Sequence, residues 1–345
     1  MRKTKSHNNK LKKGMMKFKL IAFLFTIVIF FSSCYKDEFK FTADETPEVV
    51  DPGDISNFFA QVPNKFDSLV FKAEDGIIIV TENQTIIEVS PGSLLDQSGN
   101  FVTGDVDFKY IEVLNPAEYA FYGLPTISNK QLLRTDGVFR FEARQEGKEL
   151  SFKGGRGVRV RLPDDNPEEG MQLFRGEGSG DDFNWSPISD ATGSPNNTDI
   201  ILNEWFLNID STGQDFLQGF GYEFTCELFT WINVDIFVDI PEDERTTVCV
   251  ELPEMFTNKN TTIFMLFKES KSILGLNGDA EKMQWCEPYG ATPKGFEVTF
   301  IVISHQGDDK YYFALKDATI VEDHLEYIEP EETTIDEIVK EIENL

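Results

Sequence analysis

Val106-Asp107-Phe108-Lys109-Tyr110-Ile111-Glu112-Val113 sets apolar side chains against charged ones along a short β-branched and aromatic run, and it decides the fold. The same alternation recurs in Val138-Phe139-Arg140-Phe141-Glu142-Ala143 and in Val158-Arg159-Val160-Arg161-Leu162. Side chains of an extended chain point to opposite faces at every step, so this pattern buries one face and wets the other. That is the signature of antiparallel sheets with a single packed face. Ile77-Ile78-Ile79-Val80 and Thr85-Ile86-Ile87-Glu88-Val89 add strand material. Turn clusters at Asp96-Gln97-Ser98-Gly99-Asn100 and Lys153-Gly154-Gly155-Arg156-Gly157 separate the runs. No helical period interrupts them, so the block reads as a β-sandwich.

Acidic turns follow from Pro163 to about Asn197, but Met171, Leu173, Phe174 and Trp185 recur between them. Hairpins with long acidic tips are expected there, their apolar residues completing the first sandwich or cementing it to the next block. Ile200-Ile201-Leu202 and Trp205-Phe206-Leu207 continue the strand material. A second β block opens near Phe224 with Leu228–Val234, Thr246–Leu252, Thr261–Phe267, Phe296–Ile303 and Tyr311–Leu315, spaced by loop signals at Gly275, Gly278, Gly290, Gly295 and Gly307. At the end, Ile335, Ile338, Val339, Ile342 and Leu345 share one helical stripe behind a Thr334/Glu337 capping box, which predicts a helix docked on its own sandwich. Asp54 to Phe59 is ambiguous between a short helix and a strand lead-in. The expected fold is all-β: two antiparallel β-sandwich domains in tandem, residues 55–224 and 225–345, closed by a short C-terminal helix.

One stretch carries a resemblance. Gly76, then Ile87-Glu88-Val89-Ser90-Pro91-Gly92-Ser93-Leu94, then Gly104-Asp105-Val106-Asp107-Phe108 is similar to the ZU5 type of β-sandwich, in which a strand ends in Pro-Gly-small-Leu and a paired strand follows. Pro91 stops the ladder, Gly92 permits the turn and Leu94 folds back over the core. The resemblance implies a protein-interaction module. Some ZU5 domains cleave themselves at His-Phe-Ser; this chain has no such tripeptide, so self-cleavage is not implied.

The N-terminus speaks of location. Eight basic residues and no acid precede an apolar run from Leu20 to Phe31, too short to span a bilayer comfortably, and Phe31-Ser32-Ser33-Cys34 follows. Residues 1–33 read as a lipoprotein signal peptide and Cys34 as the lipidated first residue of the mature chain; the competing reading is an uncleaved anchor with an incidental cysteine. Lys36-Asp37-Glu38 resembles the export signal of surface-exposed lipoproteins in Bacteroidota. An acidic tether over 34–54, with Pro47 and Pro52, follows. The expected location is the outer membrane, lipid-anchored and exposed at the cell surface.

Charge narrows the partners. The signal holds eight of the 32 Lys and Arg residues and none of the 60 Asp and Glu residues, so 24 bases face 60 acids in the mature chain. Nucleic acid and anionic lipid surfaces are therefore disfavoured, and the lipid must anchor the protein. Only His305 and His324 remain after processing, neither at metal-ligand spacing, and no Gly-x-Ser-x-Gly, His-Glu-x-x-His, Walker or dinucleotide motif occurs. Asp96 with Asn100, and Asp181 with Asp182, offer oxygen ligands of the kind calcium takes, or else are ordinary turns. Cys226, Cys249 and Cys286 permit at most one disulfide and read as small buried hydrophobes. Trp185, Trp205, Trp231 and Trp285 are either core or part of an exposed platform.

The resulting expectation is a non-catalytic binding or envelope-interaction module, its ligand a protein or a glycan. A glycan-binding accessory lipoprotein of a polysaccharide uptake system and a carboxylate-dependent hydrolase are the alternatives; an aromatic row in a groove would favour the first, two inward carboxylates in a cleft the second. Cys34→Ala should shift the protein from the membrane fraction to the soluble or precursor fraction. Alanines at Lys36, Asp37 and Glu38 should leave it membrane-bound but shielded from protease added to whole cells.

Overall fold

A computed structural model describes residues 53–62, 66–178, 183–188, 200–208 and 216–345. The strand Asp105–Val113 pairs antiparallel with Asp67–Lys72 on one side and with the fifteen-residue strand Gln131–Gln145 on the other. Trp231–Phe237, Gln172–Glu177 and Asn184–Pro187 extend that sheet. A second sheet of five strands runs Ile200–Asn208, Phe216–Cys226, Val158–Pro163, Ile86–Val89, Ile77–Val80. The inner faces of the two sheets meet in one core containing Phe108, Phe139, Phe141, Val160, Leu162 and Phe224. The turn after Val89 behaves as its residues dictate: Gly92 sits at φ +61°, its N–H donates to the Ala73 carbonyl at 3.0 Å, and Leu94 is buried in the core.

The second block follows an eight-stranded path in which Val248–Glu251, Gln284–Cys286, Ser272–Asp279, Thr261–Phe267, Glu297–His305 and Tyr311–Thr319 are successive neighbours. All pairs are antiparallel except Val248–Glu251 with His324–Tyr327, which is parallel. The path curls back on itself: the His324 ring, at one edge, stacks on Phe300 from the middle at 6.0 Å, and Lys316 meets Glu326 at 3.7 Å. Val250, Met265, Phe267, Leu276, Trp285 and Phe300 fill its interior.

Between the two blocks lies a third core. Ile111, Val113, Leu133, Val138, Phe174 and Trp185 from the first sandwich pack with Phe264, Leu266, Ile273, Ile301, Ile303 and Tyr311 from the second. The first sandwich's larger sheet is thus buried on both faces, and the described residues from Gly53 onward form one compact unit. The middle hairpins do both things expected of them: Met171 and Leu173 point into the first core, Phe174 and Trp185 into the shared one.

Three boundaries move. Trp231–Phe237 is hydrogen-bonded between Gln131–Gln145 and Gln172–Glu177, so a cut at 224/225 runs through the first sandwich. The segment at 54–59 is a helix, Ile55–Gln61, with Asp54 as N-cap accepting from Ser56 N–H at 2.9 Å, and it docks on the second block rather than the first. There Ile55 N–H donates to the Lys259 carbonyl at 2.9 Å, Gln61 Nε2 to Tyr311 Oη at 2.7 Å, and the Phe58 ring meets Tyr311 edge-on. The C-terminal helix Ile335–Glu343 has the predicted Thr334/Glu337 capping box. Its buried Ile338 and Ile342 enter the shared core, however, and Asn115 of the first block donates to the Glu343 carbonyl at 3.4 Å. The helix closes the junction, not one sandwich.

Residues 225–345 alone would expose that shared layer and should be insoluble. In the full chain Ile342→Ala, which empties part of it, should cost about 2–5 kcal/mol. Calorimetry should show one transition that moves to lower temperature as a whole; two transitions, only one of them shifted, would be the contrary result.

Candidate binding groove

Arg140 lies on the central strand of the first sandwich, directly opposite Ile111 on one neighbour and Trp231 on the other. The strand's alternation sends Phe139 and Phe141 into the first core and Arg140 to the opposite face. Phe59 and Val62, from the end of the N-terminal helix, and Phe66 form one wall above this row. Phe121 and Tyr122 form the other. They belong to a one-turn helix, Tyr119–Tyr122, which Gly123 ends in the left-handed region at φ +60°. The result is an open groove of about 330 Å³.

Its electrostatics centre on one cation. The Arg140 guanidinium sits 5.3 Å from the Trp231 ring and 5.8 Å from Phe66, and Nη2 donates to Glu142 at 2.9 Å. Arg140 Nε is buried and has no hydrogen-bond partner among the described residues. The other aromatic contact, Tyr122 with Trp231 at 5.6 Å, tilts the rings by 60°. Cation–π contact holds the guanidinium over the Trp231 ring, about 0.5–1 kcal/mol where solvent reaches it. Among the described residues the lining carries no carboxylate, imidazole, thiol or Ser/Thr hydroxyl. What it offers is apolar ring surface beside a fixed positive donor.

The other tryptophans fill cores: Trp185 donates to the Pro125 carbonyl at 2.8 Å, Trp205 covers Gly219, and Trp285 is 2 % exposed. Only Trp231 reaches the groove. Asp96 and Asn100 come together as a closed turn: Asp96 Oδ1 accepts from the Ser98 and Asn100 amides at 2.8 and 2.9 Å, and Oδ2 accepts from the Asn100 side chain at 3.2 Å. Those bonds, the Asn100 amide first, hold the Asp96 carboxyl below its usual range. Among the described residues no three His, Cys, Asp or Glu side chains converge on a metal position. Asp181, Asp182, Cys34, Lys36, Asp37 and Glu38 lie outside the described residues.

Only one of the three cysteines read as small buried hydrophobes is a free thiol. Cys249 and Cys286 stand directly opposite on adjacent strands and are disulfide-bonded, with Cα atoms 4.1 Å apart. Cross-strand register makes them neighbours although 37 residues separate them in sequence. Cys226 alone is a small buried hydrophobe, and burial pushes its thiol pKa up.

Two carboxylates that sequence reasoning did not single out, Asp136 and Asp235, lie at a β-bulge in the pairing of Trp231–Phe237 with the central strand. The extra residue turns Asp136 outward, to Lys271 Nζ at 3.1 Å and Tyr222 Oη at 2.6 Å. Asp235 is fully buried; Thr135 Oγ1 donates to its Oδ1, and Oδ2 has no partner among the described residues. Desolvation, then repulsion from Asp136, pushes the Asp235 carboxyl well above its usual range. Enclosed in this way it is out of reach of a dissolved substrate.

No protein-family model and no curated protein matches this chain.

Because Asp235 binds its proton more tightly folded than unfolded, its contribution to stability is full below the ordinary carboxylate pKa and is lost as pH rises toward the folded value. Asp235→Asn, which copies the neutral acid, should therefore raise the melting temperature at pH 8, by about 1–3 kcal/mol of stability, and change it little near pH 4. Melting curves of both proteins across that range check it.

Proposed function

We propose that this chain is a lipid-anchored, surface-displayed protein of the outer membrane that binds a ligand in the groove over Arg140 and Trp231 without transforming it. The observation that carries the reading is the groove itself: five aromatic side chains and one guanidinium, with no side-chain pair for acid–base work among the described residues that line it. The lipoprotein-like start, with Cys34 and Lys36-Asp37-Glu38, supports the anchoring and display. The ZU5-like stretch supports an interaction role.

A glycan is the ligand class this groove favours. About 330 Å³ accommodates a sugar ring, aromatic walls meet its C–H face, and the Arg140 guanidinium, its side chain 36 % exposed, places a positive charge beside them for a ring or carboxylate oxygen. A polysaccharide uptake system is the setting that would use such a protein.

Detergent-solubilised full-length protein should be titrated with neutral and uronate-containing oligosaccharides. Trp231→Ala should weaken whatever binding is found at least tenfold while the protein keeps a single cooperative melting transition. Equal binding by wild type and Trp231→Ala would remove the groove from the proposal.

A further inference from the structure

We infer a second small-molecule site on the second sandwich, beneath Gln284–Cys286, which takes a small carboxylic acid with an apolar body. A cavity of about 270 Å³ opens there between Asn258, Lys259, Gly278, Met283 and Trp285, and its walls are almost wholly apolar. Trp285 is 2 % exposed, yet its indole N–H has no hydrogen-bond acceptor among the described residues. A buried donor left without an acceptor costs free energy, and a ligand oxygen in this cavity would recover it.

Backbone geometry keeps the cavity open. Gly278 stands directly opposite Trp285 on the adjacent strand, and a methyl group there would come within 2.9 Å of Trp285 Nε1 and 2.7 Å of Asn258 Cβ. Only glycine lets the indole edge lie against that strand, with Trp285 among the residues that line the cavity. Charge selects the ligand. Asp279, the acid at the rim, is already engaged: its Oδ1 accepts from the Glu281 and Lys282 amides at 3.0 and 3.2 Å, and its Oδ2 pairs with Lys282 Nζ at 3.2 Å. Lys259 is exposed at the rim and makes no ion pair within the described residues, and its backbone is fixed by the Ile55 amide at 2.9 Å. One ammonium at the mouth and one N–H donor on the floor, with apolar walls between, match a carboxylate carried on a hydrocarbon or aryl group. The site shares no residue with the groove over Arg140, and neither reading depends on the other.

The full-length protein in detergent, labelled with ¹⁵N at tryptophan, gives four indole N–H resonances, of which Trp285→Phe identifies one. Benzoate is the probe and benzyl alcohol its uncharged counterpart. The Trp285 resonance should shift, and saturate, with benzoate at millimolar concentration, while the other three stay in place. Lys259→Gln should weaken benzoate severalfold and leave benzyl alcohol unchanged, and Gly278→Ala should abolish both. A Trp285 resonance unmoved by benzoate overturns the site, as does an equal shift of all four resonances. Should Gly278→Ala fail to fold, the wild-type titration and Lys259→Gln decide between these results.

Discussion

Burial of the first sandwich's larger sheet on both faces is the constraint from which the remaining architecture follows. A sheet whose outer face carries Ile111, Val113, Val138 and Phe174 cannot leave that face in water, at about 25 cal/mol per Å² of apolar surface. The second block supplies the cover through Phe264, Leu266, Ile301 and Ile303, and the three short helices close the seam. The chain reinforces this by its route: Ile55–Gln61 docks on the second block, and only then does the chain enter the first sandwich. The groove over Arg140 is a product of this arrangement. One wall comes from a helix pinned to the second block, while the floor and the other wall come from the first.

Much of this was legible in the residues. Alternation in Val106–Val113, Val138–Ala143 and Val158–Leu162 located three central strands of the first sandwich, and the capping box located the last helix. The second block's part in the shared layer was missed because it is written in a different pattern. Ile263-Phe264-Met265-Leu266-Phe267 and Phe300-Ile301-Val302-Ile303 do not alternate, and an unbroken apolar run is what a strand buried on both faces requires. Read that way, those runs call for a cover on each side and argue against free-standing tandem domains. The strand Ser272–Asp279 was hidden by Gly275 and Gly278, which look like loop signals; Gly278 is there because Trp285 lies across it.

Site residues were less visible. Arg140 looked like one more solvent-facing charge of an alternating strand, and nothing local distinguishes it from Arg159 or Arg161, which pair with Glu88 and Glu223 on the outer face of the second sheet. What sets it apart is register, which brings Ile111 and Trp231 alongside, and the helix laid over them. Asp235 is likewise silent in sequence: a bulge, not a motif, separates it from Asp136 and sends the two carboxyls into different surroundings. The disulfide depends on the same long-range pairing.

Native-state hydrogen exchange of the full chain tests most directly whether the two sandwiches are one cooperative structure. Amides in the centre of Thr261–Phe267 and of Gln131–Gln145 should exchange with the same opening free energy and the same denaturant dependence, since neither sheet can lose the shared layer alone. Opening of Thr261–Phe267 at a clearly lower free energy, with the central strand of the first sandwich still protected, would contradict the account.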